Sequence, residues 1–270
     1  MGLNGGNGNG HALGANLSFT KFLFVRHPTD DDQAGGRMRT IGGLIGRGFF
    51  NEFDAEATRD SHETIHFLVR TGDPAPYDDA DRVIAEARHA VQVSSKYRPR
   101  LQEIEEELRR RLGDGAEVAS LDGAARAPRY TSAEMHHYME DPAPPRRSGR
   151  VSPHAFILPV RKTRAWWQQG ALDRQTYFYP HVNRVSGAHA QGHAMAAAEG
   201  IPVLHRRMFH NPDGYQRPGE YDFITYVECD EAGVPVFDRI CQALRDRVKN
   251  PEWAFVEEGP LWRGTRVLRW

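Results

Sequence analysis

The chain has 270 residues, of which 39% are hydrophobic and 26% charged, and its 35 Lys and Arg nearly balance its 36 Asp and Glu. This length and balance predict a globular protein with a sizeable core and exclude wholesale disorder. The net charge of −1 gives no field that would attract a nucleic acid or an anionic membrane. The two cysteines are too few for a disulfide framework or a four-cysteine zinc site. No apolar run reaches the ~20 residues of a membrane span and no secretory leader is visible, so we expect a cytoplasmic protein without nucleic-acid or membrane partners.

The N-terminal part of the sequence predicts a flexible tail followed by helices and strands. Residues 1–17 are rich in Gly and Asn and cannot bury enough apolar area to offset the entropy lost on ordering. β-Branched and aromatic residues predict strands at 18–26 and 62–71. Helical spacing of apolar residues predicts a helix over 79–112, with a break near Pro99.

The C-terminal part shows a regular alternation of strands and helices. A stretch rich in Pro and Arg, 141–153, is typical of a linker and divides an N-terminal half, 18–150, from a C-terminal half, 151–270. The elements predicted after the linker are a strand at 154–160, helices at 164–178 and 188–198, strands at 201–209 and 221–229, a helix at 234–247 and an extended segment at 255–268.

This β-α-β-β-α-β order is that of a ferredoxin-like unit, an antiparallel sheet with helices on one face. If the N-terminal half is a weaker copy of it, the fold class is α+β. The architecture would then be a dimeric α+β barrel built from two ferredoxin-like βαββαβ halves within one chain, with antiparallel sheets and helices outside.

The segment from His62 to His66, HETIH, matches a short zinc-hydrolase pattern in which two histidines one helical turn apart bind zinc and the Glu acts as base. Its surroundings favour a strand, in which residues four apart lie about 13 Å from each other and cannot share one zinc ion. A zinc enzyme using His62 and His66 is therefore kept only as an alternative.

Histidines are concentrated between residues 181 and 210, which hold five of the thirteen in the chain. His189 and His193 are four apart in a predicted helix, so they could bind a metal ion together, or one of them could bind haem iron. They could equally be surface histidines or satisfied core histidines. The concentration makes this region the first place to look for a functional site.

Two arginines and two tryptophans are further candidates. Arg206 and Arg207 lie in a predicted strand, where alternation points one of them into the core or a pocket. A buried guanidinium is costly unless an anion or a carboxylate meets it. Trp166 and Trp167 could fill the core or form a platform for a flat ligand.

From about residue 154 to 267 the chain resembles the haem-binding chlorite dismutase family, which also includes the coproheme decarboxylases. The resemblance is carried by LPVRKTRAWW (158–167), by the strand pair RRMFHN and YDFITYVE, and by the closing VEEGPLWRG (256–264). It implies two ferredoxin-like halves per subunit, haem b in the C-terminal half, and homo-oligomeric rings such as pentamers.

The resemblance also implies roles for single residues. His193 precedes Arg206 by thirteen residues, which implies that His193 is the proximal iron ligand and Arg206 the distal catalytic arginine. The distance from the tryptophan pair selects His181 instead, so His181 stays as the alternative iron ligand. If His193 is the ligand, the chain carries an insertion of about a dozen residues, judged against the resemblance.

Lys162 and Trp166 match family positions that meet the haem propionates and line the haem, and Trp167 is grouped with them as a cofactor-binding residue. The carboxylate that bonds to the proximal histidine falls within 250–252, where an Asn would make the histidine a weaker donor to iron. Leu158 stands where the coproheme decarboxylases have a Tyr, which disfavours decarboxylation because Leu has no phenolic hydrogen.

The resulting prediction is a haem b dependent oxidoreductase of chlorite dismutase type that acts on chlorite, peroxide or another small ligand. Arg206 would orient that substrate at an open distal site, because Arg stays charged and offers several donors. The alternatives are a non-haem ferredoxin-like small-molecule binding protein and a coproheme decarboxylase-like enzyme. We expect a small-molecule substrate and a homo-oligomer.

Overall fold

The computed structural model describes residues 18–27, 34–49, 64–74, 77, 81–125, 152–183 and 186–269. Its strands are β1 (Phe19–Arg26), β2 (Thr64–Arg70), β3 (His89–Ser95), β4 (Glu117–Ala125), β5 (His154–Lys162), β6 (His181–Val182), β7 (His189–Ala190), β8 (His205–His210), β9 (Phe223–Cys229), β10 (Val256–Glu258) and β11 (Trp262–Arg269). Its helices are α1 (Ala34–Phe49), α2 (Arg82–Glu86), α3 (Arg98–Leu112), α4 (Arg164–Trp167), α5 (Ala171–Thr176), α6 (Gly192–Ala197) and α7 (Gly233–Arg245), with 3₁₀ turns at 198–200 and 251–255.

Eight of the strands form a ring. Their hydrogen-bonded order is β5-β11-β2-β3-β1-β4-β8-β9, and β9 returns to β5. Within this ring, β2-β3-β1-β4 and β11-β5-β9-β8 follow the same rule, because the first strand of each half lies between its third and fourth strands. All of these pairings are antiparallel. The predicted α+β fold with two ferredoxin-like halves in one chain is confirmed.

The two halves meet at two unequal seams. Strand β11 pairs with β2 over Gly264 to Arg269, with one register shift. Strand β4 pairs with β8 only through Ala124 and Ala125. The ring is therefore joined firmly on one side and by two residue pairs on the other.

Alternation along the strands divides the apolar side chains among three cores. The interior of the barrel is filled from both halves and includes Phe22, Phe209 and Trp262. Helices α1 and α3 cover the outer face of the N-terminal sheet, and α6 and α7 cover the outer face of the C-terminal sheet. The layer between the C-terminal sheet and its helices holds the site described below.

Three predicted helices differ from the structure. Residues 89–95 form strand β3 and not part of a helix, because Val91 and Val93 face one side of the barrel wall and Ala90 and Gln92 the other, and all four are buried. The predicted helix over 164–178 is two short helices, α4 and α5.

The predicted helix over 188–198 begins only at Gly192, because the residues before it form the hairpin β6–β7. The predicted tail at 1–17, His62 and most of the linker lie outside the described residues. The boundary at residue 150 therefore stays a prediction. Among the described helices, none is both long enough and apolar enough to span a bilayer.

Candidate functional site

Four polar side chains form a continuous chain of contacts in the layer outside the C-terminal sheet. Lys162 Nζ lies 2.5 Å from Glu252 Oε1, and Glu252 Oε2 lies 2.9 Å from His193 Nδ1. Both terminal nitrogens of the Arg206 guanidinium lie 3.3 Å from His193 Nε2. Lys162, His193 and Glu252 are buried and Arg206 is half-buried, so three members of this Lys–Glu–His–Arg chain are shielded from water.

Each member of the chain comes from a different element. Lys162 ends β5, His193 lies in the first turn of α6, Glu252 lies in the 3₁₀ turn before β10, and Arg206 lies in β8. Val227, which faces Arg206 across the β8–β9 ladder, belongs to the core under the C-terminal helices. Arg206 therefore points towards the helices and not into the barrel.

The partners of His193 define which ring nitrogen carries the proton. A carboxylate only accepts hydrogen bonds, so Nδ1 must donate to Glu252. A guanidinium only donates, so Nε2 must offer its lone pair to Arg206. His193 is thus a neutral imidazole whose Nε2 is the coordinating type of nitrogen.

The charges within the chain support this assignment. Burial alone would raise the pKa of Glu252, but Lys162 and His193 outweigh it and hold that pKa at about 2. Burial lowers the pKa of His193, with Glu252 acting against the shift. Burial also lowers the pKa of Lys162, again opposed by Glu252. At neutral pH Glu252 is ionised and His193 is uncharged.

The segment before α6 holds His193 in place. The Phe178 ring stacks on the His193 ring with 5.2 Å between centres, and the backbone N–H of His193 donates to the carbonyl of Tyr177 at 3.0 Å. Gly192 has φ +76°, and a Cβ there would lie 2.5 Å from the carbonyl oxygen of Tyr179. The helix therefore begins against the backbone of residues 177–179, at the edge of the hairpin segment.

The two candidate tryptophans have different neighbours. Trp166 is buried, and Lys162 Nζ lies 4.1 Å from the centre of its ring. Trp167 stacks on Tyr215 with 4.5 Å between ring centres and donates its indole N–H to Asp222 at 3.3 Å. Trp166 thus adjoins the Lys–Glu–His–Arg chain, whereas Trp167 fills a separate aromatic stack.

The alternative ligand His181 lies in β6, outside the chain of contacts. Its Nδ1 lies 2.9 Å from the carbonyl oxygen of Tyr179, and its ring meets that of Tyr177 edge to face. His189, across the same hairpin, is exposed. The structure brings His193 together with Glu252 and Arg206, and it places neither of the other two histidines there.

The zinc alternative finds no support in the part of the chain that is described. His66 lies on strand β2, buried in the barrel, with its Nδ1 3.0 Å from Gln92 Oε1. Among the described residues no group of three or more metal-binding side chains is present. His62 lies outside those residues.

Sequence reasoning left two contributors open or unseen. It placed the partner of the histidine within 250–252, and the structure assigns it to Glu252, while Asn250 donates to the carbonyl of Leu244. Glu252 is the only carboxylate in that range, which was a usable signal. The sequence gives no comparable signal for Phe178. An aromatic residue in an apolar segment predicts burial but does not predict which side chain it stacks on.

The fold and the site place this protein in a structural class: α+β barrels of two ferredoxin-like halves in one chain. In this protein the C-terminal half holds a buried histidine between a carboxylate and an arginine. Solved structures of chlorite dismutases have this fold, so the expected family is supported at the level of the fold.

The chlorite dismutase of Candidatus Nitrospira defluvii in complex with imidazole is 16% identical, with a TM-score of 0.61 over 93% of this chain and 91% of that chain. A tryptophan-to-phenylalanine variant of that protein in complex with cyanide gives the same values. A second candidate chlorite dismutase is 13% identical, with a TM-score of 0.59 over 94% and 96% of the two chains. No protein-family profile and no curated protein matches the sequence.

Proposed function

We propose that this protein is a haem b dependent oxidoreductase of chlorite dismutase type, with His193 as the iron ligand and Arg206 as the residue that orients a small substrate. The observation that carries the proposal is the orientation of His193. Glu252 fixes its Nδ1–H, so Nε2 presents a lone pair on the side where Arg206 lies. A histidine whose other nitrogen donates to a carboxylate is the usual arrangement at metal ions.

The residues around Nε2 fit haem iron in donor chemistry. His193 supplies the imidazole nitrogen, and Glu252 raises its basicity. The Arg206 guanidinium, 3.3 Å from Nε2, donates to the same lone pair that iron would need. Iron can therefore bind His193 only after the half-buried side chain of Arg206 rotates away from the ring.

Bound haem would supply an iron centre that exchanges electrons or oxygen with a small ligand. The protein residues would do the rest. Glu252 keeps the proton on Nδ1, Lys162 balances the buried carboxylate, and Trp166 lies against the Lys162 ammonium. Arg206 is permanently charged and has several N–H donors. Once rotated away from His193, it could use them to hold chlorite, peroxide or another small ligand.

The decarboxylase alternative lacks its key group. Leu158 on β5 is buried and pairs with Thr225 on β9. It has no hydroxyl that could take part in hydrogen transfer to a propionate. We therefore prefer chemistry at a small ligand over decarboxylation.

The position of Arg206 favours a second candidate function. With Nε2 already satisfied by Arg206, the Lys–Glu–His–Arg chain is complete without a cofactor. The second candidate is a ferredoxin-like protein that binds a small molecule without haem.

Titration of the purified chain with hemin separates the two candidates. We expect a Soret band that saturates at about one hemin per chain and is lost in His193→Ala, because among the described residues His193 is the histidine held between Glu252 and Arg206. His189→Ala is the matched control, since this exposed histidine lies outside the site. Absence of saturable hemin binding, or loss of binding in His181→Ala and not in His193→Ala, would contradict the assignment.

The assembly state belongs to the same proposal. We infer a homo-oligomeric ring, such as a pentamer, from the resemblance to chlorite dismutases. Sedimentation velocity of the full chain measures it directly, and a monomer at micromolar concentration would contradict it.

A further inference from the structure

A cleft of about 330 Å³ opens beside the site, between the end of β5 and the loop that joins β8 to β9. Four basic side chains line it, from Arg161, Lys162, Arg164 and Arg217, together with one acidic side chain, Glu257. This volume suits a small molecule. Because basic side chains outnumber acidic ones in the lining, the cleft favours an anionic ligand.

Of the four basic groups, two have carboxylate partners within hydrogen-bond distance among the residues that are described, and two do not. Glu252 balances Lys162, and Glu220 balances Arg217 through its Nε at 2.9 Å. Arg161 is 3.8 Å from the carboxylate of Glu257, too far for a hydrogen bond.

Arg164 completes the set. Its side chain is exposed and makes no ion pair or hydrogen bond with the residues the structure describes. Within that part of the chain, the terminal NH₂ groups of Arg161 and Arg217 also donate to no carboxylate within hydrogen-bond distance. Three guanidinium groups therefore offer donors to the cleft.

The walls of the cleft are held in position before any ligand arrives. Asp222 is buried, and its two oxygens accept the backbone N–H of Lys162 at 2.8 Å and that of Gln216 at 2.7 Å. Arg161 Nε donates to the carbonyl of Glu220 at 2.8 Å. The backbone on both sides of the cleft and the Arg161 side chain are therefore held before an anion binds, which lowers the entropy lost on binding.

We propose that this cleft is a binding site for a small oxyanion, a phosphate or carboxylate group, held by Arg161, Arg164 and Arg217. The site is separate from His193 and needs no cofactor. Planar guanidinium groups bind such anions through paired N–H donors. Lys162 lines the cleft but stays committed to Glu252.

Inorganic phosphate is the probe, titrated calorimetrically into the full chain without cofactor at constant ionic strength. We expect saturable binding in the wild type and an apparent affinity roughly tenfold lower in Arg164→Gln and in Arg217→Gln, because each removes a charge-assisted hydrogen bond. Arg239→Gln is the matched control, since Arg239 is equally exposed and pairs with Glu199 elsewhere. A linear response without saturation, or an equal loss in Arg239→Gln, would overturn the proposal.

A repeat with the chain incubated with excess hemin distinguishes a free anion from the carboxylates of a cofactor. Unchanged phosphate affinity supports a separate anion site. Competition by hemin would assign the cleft to the carboxylates of that cofactor and overturn the separate site. Neither result depends on whether His193 binds iron, because loss of hemin binding in His193→Ala is measured independently.

Discussion

At the scale of single residues, the contact between Arg206 and His193 decides how the site can be used. A guanidinium within 3.3 Å of Nε2 competes with any metal for the same lone pair. The hydrogen bonds are long, so each is weak, and the side chain can leave at modest cost. In the proposed function, Arg206 would cover the histidine before the cofactor binds and would face the substrate afterwards.

Replacement of Arg206 by Gln tests this double role. We expect hemin to associate roughly fivefold faster with Arg206→Gln than with the wild type, because about 1 kcal/mol of hydrogen bonding no longer has to be broken. Stopped-flow absorbance at the Soret band measures the rate. Equal rates in the variant, the wild type and the Arg239→Gln control would show that Arg206 does not cover His193 in solution.

A second residue-scale prediction concerns His89, at the start of β3. It is buried, burial lowers its pKa to about 4, and His27 and Arg88 add to the shift. Between pH 6.5 and 4 the unfolded chain takes up a proton at this position and the folded chain does not, so stability falls as the pH falls.

The loss expected from His89 alone is about 2 kcal/mol on going from pH 7.5 to 4.5. Urea unfolding at both pH values measures it. In His89→Gln the change in unfolding free energy over this range should be smaller by that amount, whatever the variant's stability at pH 7.5. An unchanged pH dependence would place the titration elsewhere.

At the scale of elements, helix α6 depends on the glycine at its start. Gly192 has φ +76° and lies against the backbone of Tyr179. Gly187, in the turn between β6 and β7, has φ +69° but has open space where a Cβ would go. An alanine at Gly187 would therefore introduce backbone strain alone, whereas an alanine at Gly192 would introduce backbone strain and a steric clash.

Gly187→Ala should cost about 1 kcal/mol of unfolding free energy, from the left-handed backbone alone. Gly192→Ala should cost more, and it should also weaken hemin binding, because the clash displaces the first turn of α6 and with it His193. Urea unfolding and hemin titration of both variants measure the two effects. Equal behaviour of the two variants would contradict a positioning role for Gly192.

The elements also show where sequence reasoning succeeds and fails. Strand β1 and helix α7 are close to their predicted bounds. Strand β1 is a short run rich in aromatic and β-branched residues, and the apolar residues of α7 recur at helical spacing. Strand β3 was missed because it is buried on both faces, so its apolar residues also fit a helical stripe. The spacing of His193 and Arg206 was readable, but their direct contact depends on how α6 packs on β8, which no local pattern contains.

At the scale of the whole molecule, a polar cluster inside the barrel links the two halves. Glu228 on β9 accepts a hydrogen bond from Tyr226 at 2.8 Å and lies 2.6 Å from Arg266 on β11. His66 on β2, from the N-terminal half, lies 3.6 Å from the same oxygen. All four side chains are shielded from solvent, so their polar groups depend on one another for the hydrogen bonds and charge pairing that water would otherwise provide.

Glu228→Gln should destabilise the protein by about 3 kcal/mol, because it leaves the Arg266 charge buried without its carboxylate. The double variant Glu228→Gln/Arg266→Met should lose less than the sum of the two single variants. Denaturant unfolding of the full cycle measures the coupling. Additive losses would mean that the ion pair does not act as a unit.

The β4–β8 seam has a consequence for the motion of the site. Two residue pairs hold it, so local opening of the barrel should start there and expose the outer edge of β8 before any other strand of the ring separates. Arg206 lies on that strand, three residues before Phe209, which pairs across the seam. This short seam thus lies on the strand that carries Arg206. The backbone amides of β8 should exchange with deuterium faster than those of β5, which is paired along both edges.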